Sequence, residues 1–200
     1  MNKKFLTTAN LVKISLLSAI AFILISLDFP IPFLFPGFLK LDFSDVPALI
    51  GGFSMGPLAG VLIQLIKCVL HMLTQTETAG VGPASNFVTG VSLVVPATII
   101  YRWIKSKKGA LLGLVAGTVV MTGVMALANY YVFFPLFITV MGYSEEAVVG
   151  MGTAVNSNIT DLKTLVILGS TPFNIFKGAT VSIVTLALYK HISRLFKRYN

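Results

Sequence analysis

The feature that most constrains this chain is a series of long apolar segments. A helix needs roughly 20 apolar residues to cross a bilayer, and 56% of the 200 residues are hydrophobic while only 11% are charged. A soluble domain has about twice that charged fraction. We therefore expect an all-α, six-helix integral membrane protein that forms a single membrane domain over residues 1–200. The predicted helices cover residues 11–27, 46–55, 58–73, 85–104, 109–137 and 171–191.

The second apolar segment is too short to cross a bilayer alone, because ten helical residues rise only about 15 Å. It is predicted as a short second helix that needs completion by its neighbours. The loop before it, residues 35–47, reads FPGFLKLDFSDVP and mixes charged with aromatic residues. A connection needs only polarity, so this composition favours a structured outer loop that forms the lid or wall of a site.

Prolines set two of the predicted boundaries. Pro135 is expected to end the fifth helix, because proline removes a helical hydrogen bond. Thr171 and Pro172 predict the start of the sixth helix, since a capping residue followed by proline is typical of a first turn. Residues 138–164 then form a more polar connection.

The charges separate between the two sides of this arrangement. The chain has 15 basic and seven acidic residues, and six helices place all seven acidic residues in the three outer loops. Most basic residues then fall on the opposite side, which the positive-inside rule makes cytoplasmic together with both termini. Those basic residues are at positions 3, 4, 13, 102, 105, 107, 108, 190, 194, 197 and 198.

Several functional classes are disfavoured by the same sequence. The net charge of +8 follows from loop residues and not from one basic face, so no nucleic-acid partner is expected. No glycine-rich phosphate loop ends in Lys and Ser or Thr. His71 and His191 stand apart from other metal-ligating residues, so we expect no metal site and no cofactor. No grouping of Ser, His and acid predicts catalytic residues.

Polar residues within the sixth segment predict a binding site. Asn174 and Lys177 are three residues apart and therefore share one helix face. An ionisable group inside a membrane segment is a functional-site candidate by default. The competing interpretation is that the Lys177 amine reaches the outer headgroups.

Three further residues are candidates for the same site. Asn129 lies at a similar depth in the fifth segment, and Tyr130 beside it is expected either to stack on a ligand ring or to join an interfacial aromatic belt. Asn86 is interpreted as a pocket residue or a helix cap.

Lys67 and the small residues of the first segment have structural interpretations. Lys67 lies near the middle of the third segment and is expected to pair with Asp42, Asp45 or Glu77. Ser15 and Ala19 are four residues apart, a spacing that lets helices approach closely. They predict either internal packing or a docking face for another membrane subunit.

Four stretches of the sequence together resemble a known family. They read KLDFSDVPALIGG, GPLAGVLIQLIKCVL, VGPASNFVTG and TPFNIFKG, and the similarity extends over residues 15–190. The chain resembles the substrate-capture (S) components of energy-coupling factor (ECF) vitamin transporters, and in particular the riboflavin-binding members. The resemblance implies a multi-pass protein of a bacterial-type cell membrane that binds its vitamin from outside. It also implies a transmembrane coupling subunit and two cytoplasmic ATPases as partners.

The resemblance also assigns roles to residues. It implies polar ligand contacts from Asn174 and Lys177, and docking to the coupling subunit through Ser15 and Ala19, where the family has two alanines. The pocket-side residues that it implies in the outer loop are Leu41, Asp42, Phe43 and Ser44.

The chemistry of riboflavin matches the candidate site residues. The vitamin is flat and uncharged near neutral pH, so aromatic walls with a few polar side chains would bind it. Phe38, Phe43 and Tyr130 are candidates for ring contacts, or else they face lipid. Two alternatives stay open: an S component for another small vitamin, and a small membrane enzyme that acts on lipid headgroups, which would need a paired acid and base.

Overall fold

The structure is a computed structural model that describes residues 7–74 and 77–197, without the side chains of residues 190–197. The basic residues Lys3, Lys4 and Arg198 lie outside the described residues. The helices are α1 (Thr8–Ile25), α2 (Asp45–Met55), α3 (Pro57–Thr74), α4 (Val81–Ile104), α5 (Lys107–Ala128), α6 (Phe134–Met141), α7 (Glu145–Thr153), α8 (Leu162–Thr164) and α9 (Thr171–Lys197). Two π-helical stretches, π1 (Asn129–Phe133) and π2 (Leu165–Ser170), join α5 to α6 and α8 to α9.

The described part of the chain holds five helices that are long and apolar enough to cross a membrane. Many of their large apolar side chains are exposed, as expected for a protein whose solvent is lipid. The five span Thr8–Ile25, Pro57–Thr74, Val81–Ile104, Lys107–Met141 and Leu162–Tyr189.

The short helix α2 lies at the centre of the packing. It has 11 residues, so it is only about 16 Å long. Every residue from Asp45 to Phe53 is buried, and α2 contacts α1, α3, α4 and α9. The prediction of a short second helix is therefore confirmed, and its polar backbone is enclosed by protein and kept from lipid.

The loop between α1 and α2 contains a small antiparallel ribbon. Strand β1 (Phe29–Pro30) pairs with β2 (Lys40–Leu41), with Phe29 opposite Leu41 and Pro30 opposite Lys40. This ribbon is an addition to the expected all-α fold. It folds the loop back over the bundle, so we call this the loop end and the end that carries Arg102 and Lys105 the basic end.

One of the two boundaries predicted from proline was wrong. Pro135 does not end its helix, because the helical run that begins at Lys107 continues to Met141. Helix α9 begins at Thr171 as predicted, but it continues a helical run that starts at Leu162, so Pro172 is not in the first turn of that run. Each proline follows a π-helical stretch by two residues, and the altered hydrogen-bond register there accommodates a residue that lacks an N–H group. The connection predicted over residues 138–164 is also shorter than expected, because helical structure continues to Met141 and resumes at Leu162. Helix α7 lies within it.

Capping side chains explain where two of these helices begin. The Ser106 hydroxyl accepts a hydrogen bond from the Gly109 N–H at 3.0 Å at the start of α5. Asp161 accepts one from the Thr164 N–H at 2.7 Å in a reciprocal capping box. These bonds satisfy N–H groups that have no partner within the helix.

Helices α4 and α5 pack closely through glycines. A Cβ atom on Gly113 would lie 2.4 Å from the carbonyl oxygen of Ala97, and one on Gly117 would lie 2.5 Å from that of Leu93. The obstructing atoms belong to the backbone, which cannot move aside as a flexible side chain can. The sequence spacing of small residues in this helix therefore serves internal packing.

Gly113→Ala is expected to destabilise the protein by about 1–3 kcal/mol, because the added methyl group forces the two helix backbones apart. The midpoint of thermal unfolding in detergent measures this loss. Gly123→Ala is the matched control in the same helix, since a Cβ atom there meets nothing within 4 Å. Equal midpoints for the two variants would contradict the close packing described here.

Candidate ligand-binding site

A cavity of about 790 Å³ opens at the loop end of the bundle. It lies between the α1–α2 loop, the first turns of α4, the π1 region and the π2–α9 region. One part of its wall is apolar and largely aromatic. The residues of this part are Phe38, Leu39, Val81, Met125, Phe133, Phe134 and Phe137.

Another part of the wall is polar and comes from four helical segments. It consists of Asn86 from α4, Asn129 from π1, Ser170 from π2, and Asn174 and Lys177 from α9. Asn129, Asn174 and Lys177 are each less than 5% exposed. Buried polar groups of this kind need partners, and the contacts among them determine what they offer to a ligand.

The Lys177 ammonium group is held by three side chains. Its Nζ donates to Oδ2 of Asp42 at 2.7 Å and to Oδ1 of Asn86 at 3.3 Å. It also lies 3.7 Å from Oδ2 of Asp45. The expected alternative, an amine that extends to the headgroups, is therefore wrong: Lys177 is 3% exposed and points toward the cavity and the acids beneath it.

A second buried lysine completes this arrangement. Lys67 Nζ lies 2.7 Å from Oδ1 of Asp45 and donates to the Ser44 hydroxyl at 2.6 Å. The Ser44 hydroxyl in turn donates to Asp42, and Gln64 donates to Asp45 at 2.9 Å. The predicted pairing of Lys67 with a loop acid is confirmed. Two lysines and two aspartates thus form one charge-balanced group, which we call the buried ion network.

Charged side chains also lie at the rim of the cavity. Lys40 Nζ lies 3.0 Å from Glu77 and 3.6 Å from Asp28. The hydrogen bond to Glu77 raises the pKa of Lys40 above its ordinary value, so Lys40 is charged at physiological pH. These pairs link strand β2 to the residues that follow α1 and to the connection between α3 and α4.

Four predicted site residues line the cavity together: Asn86, Asn129, Asn174 and Lys177. Asn86 lies within α4 and does not cap it. The expected ring contact Phe38 also lines the cavity, and its ring packs against those of Phe134 and Phe137.

Five other predicted residues do not line it. Leu41 is buried beside Phe35 and Phe173, because it points to the opposite face of the strand from Lys40. Phe43 packs against the main core. Asp42 and Ser44 belong to the buried ion network, where their polar groups already have partners. Tyr130 is 37% exposed and packs against Tyr131, since adjacent helical residues point in different directions.

The sequence analysis missed Ser170, which is fully buried and lines the polar wall. Ser170 precedes Asn174 by four residues, the spacing that places two residues on one helix face. That spacing could have identified it. The sixth predicted helix begins at residue 171, so Ser170, in the π-helical stretch before it, was left out.

The predicted docking residues lie elsewhere. Ser15 and Ala19 are exposed on α1, while the buried residues of that helix are Ile14, Ser18, Ala21 and Ile25. Internal packing within this chain therefore does not explain the spacing of Ser15 and Ala19. A docking role for them stays a prediction.

Residues 9–189 match the family described as "ECF transporter, substrate-specific component". This chain belongs to that family. The S component is 40% identical over 189 residues to the riboflavin transporter RibU of Staphylococcus aureus (strain TCH60). The aligned region covers 94% of this chain and 93% of that protein. The same S component is 38% identical over 180 residues to the riboflavin transporter FmnP of Bacillus subtilis (strain 168), covering 88% and 87% of the two chains.

A solved structure of the S component of a bacterial ECF transporter matches this S component with a TM-score of 0.74. The two are 40% identical, and the match covers 94% of this chain and 98% of the other. The family consists of transporter components and not enzymes. The lipid-headgroup enzyme considered from the sequence is therefore excluded.

Lys67→Met is expected to destabilise the S component by about 3–5 kcal/mol, because it leaves Asp45 buried with its main charged partner removed. Thermal unfolding in detergent measures the effect. Lys108→Met is the control, since Lys108 is exposed at the basic end. A Lys67→Met variant as stable as Lys108→Met would show that the buried ion network does not hold the fold together.

Proposed function

We propose that this chain captures riboflavin outside the cell and delivers it inward together with an ATP-driven ECF module. The observation that carries the proposal is the composition of the cavity, which has an aromatic wall next to a wall of three asparagines and a lysine. Its volume of about 790 Å³ is within the usual range of small-molecule sites, roughly 300–1,000 Å³. The riboflavin transporters named among its relatives support the choice of vitamin.

The polar wall complements the pyrimidine-like edge of the flavin ring. That edge has two carbonyl oxygens, which accept hydrogen bonds, on either side of one N–H group, which donates. Asn86 accepts from Lys177 through its Oδ1, so its amide N–H groups are left to donate to a ligand. The Phe38, Phe134 and Phe137 rings supply apolar surface for the flat ring system.

We propose six membrane segments, with the buried helix α2 added to the five long ones. The loop end then faces outward, because Asp28, Glu77, Glu145, Glu146 and Asp161 lie in its connections. The basic end and both termini are cytoplasmic, since Arg102, Lys105, Lys107 and Lys108 are exposed there. Riboflavin would therefore enter the cavity from outside the cell.

The proposed partners are a transmembrane coupling subunit and two cytoplasmic ATPases. Ser15 and Ala19 give α1 an exposed face with small side chains, against which a partner helix could approach closely. In this proposal residues 1–200 form one membrane domain. Riboflavin is its transported ligand, and no cofactor is proposed.

The absorbance spectrum of the purified protein tests the choice of vitamin. We expect flavin bands that survive washing in detergent, and denaturation should release riboflavin that chromatography identifies. A colourless protein that takes up no added riboflavin would overturn the proposal. A different released vitamin would leave the family intact and replace the ligand.

Asn174→Ala should weaken riboflavin binding by about 5- to 150-fold, the equivalent of the 1–3 kcal/mol lost with a buried hydrogen-bond partner. Quenching of flavin fluorescence during titration measures the dissociation constant. Asn158→Ala is the matched control, because Asn158 is exposed in the connection between α7 and α8. Equal affinities for the two variants would remove Asn174 from the site.

A Ser15→Leu/Ala19→Leu variant should bind riboflavin as the unmodified protein does but lose uptake into cells, because larger side chains block close approach of the coupling subunit. Binding is measured on purified protein and uptake on whole cells that contain the other subunits. Val119→Leu enlarges an exposed side chain on α5 and is the control. Normal uptake by the double variant would contradict docking at this face.

A further inference from the structure

Ser170 lies between the two asparagines of the polar wall. Its side chain is fully buried at the end of π2. The Asn129 Nδ2 group donates a hydrogen bond to the Ser170 hydroxyl, and the Asn174 Nδ2 group approaches the same oxygen at 3.4 Å. One hydroxyl therefore contacts the amino groups of both carboxamides.

This arrangement fixes which way the two amides point. A serine oxygen has two acceptor lone pairs, and here each can receive one amide N–H group. With both Nδ2 groups directed at Ser170, the two carboxamide oxygens point away from it. Within residues 7–74 and 77–197, neither oxygen accepts a hydrogen bond from the protein, and both asparagines line the cavity. They are available as acceptors for a ligand.

The backbone brings the three residues together through its two irregular segments. Asn129 is the first residue of π1 and Ser170 is the last residue of π2, and the two segments contact each other. A π turn changes the direction of the side chains that follow it, and such turns are frequent at functional sites. The contact therefore lies where both helices depart from regular α geometry.

We propose that Ser170 is a positioning residue that determines ligand specificity. It holds the Asn129 and Asn174 carboxamides with their oxygens facing the cavity. There the oxygens accept a hydrogen bond from the ring N–H of the flavin pyrimidine edge. A ligand that lacks this donor leaves buried acceptors unpaired and is rejected for that reason. The role of Ser170 rests on the proposed function, because it requires a flavin in the cavity.

The test compares riboflavin with 3-methylriboflavin, in which a methyl group replaces the ring N–H hydrogen. The unmodified protein should bind riboflavin at least about 10-fold more tightly than 3-methylriboflavin. Ser170→Ala should weaken riboflavin binding by about 10-fold and reduce that ratio of affinities to about 3-fold or less. Ser170→Cys keeps the size of the side chain but has a weaker acceptor, so it should lose part of the preference. Ser182→Ala is the control, because Ser182 lies in α9, the helix that follows Ser170, and outside the cavity.

A double-mutant cycle separates positioning from direct contact. If Ser170 acts through Asn129, the combined loss of riboflavin affinity in Ser170→Ala/Asn129→Ala should be at least about 3-fold smaller than the product of the two single losses. Losses that simply multiply, or an unchanged preference between the two flavins in both Ser170 variants, would overturn the proposal. Failure of the unmodified protein to bind riboflavin would instead overturn the proposed function, and the flavin role of Ser170 with it.

Discussion

The buried ion network is the interaction on which the rest of the structure depends. Each of its four charges would cost several kcal/mol to bury alone, and the network offsets this cost because the two lysines and two aspartates balance. Its members come from the α1–α2 loop, α2, α3 and α9. It therefore connects the short central helix to the helix that supplies the polar wall. Asp45 also lies in the first turn of α2, where a negative charge interacts favourably with the helix dipole.

The network also explains why the predicted loop residues and the observed cavity residues differ. The sequence shows that burying the charges of Asp42 and Lys177 costs free energy, and this cost led to the prediction of a site. It does not show that the two groups satisfy each other, which leaves only Lys177 at the cavity wall. The pairing of Lys67 and the short α2 were predictable for the same physical reasons, namely the cost of desolvating a charge and the length needed to cross a bilayer.

The remaining differences arise from the π-helical stretches. A prediction that assumes 3.6 residues per turn assigns one continuous face to each helix, and a π turn shifts that face by part of a turn. Pro135 was predicted to end a helix and Pro172 to lie in the first turn of one, yet both lie within longer helical runs. Ser170 was lost to the same error. Its contact with Asn129 joins residues 41 positions apart, so local patterns carried no signal of it.

Charge balance at the cavity has an electrical consequence. A single elementary charge that moves through a membrane potential of 100 mV exchanges about 2.3 kcal/mol with the field. The two lysines and two aspartates next to the cavity sum to zero, and riboflavin carries no charge near neutral pH. If the occupied site moved through the membrane, the buried ion network and its ligand would carry no net charge across the field. The voltage across the cell membrane would therefore do no net work on the buried ion network or on its uncharged ligand.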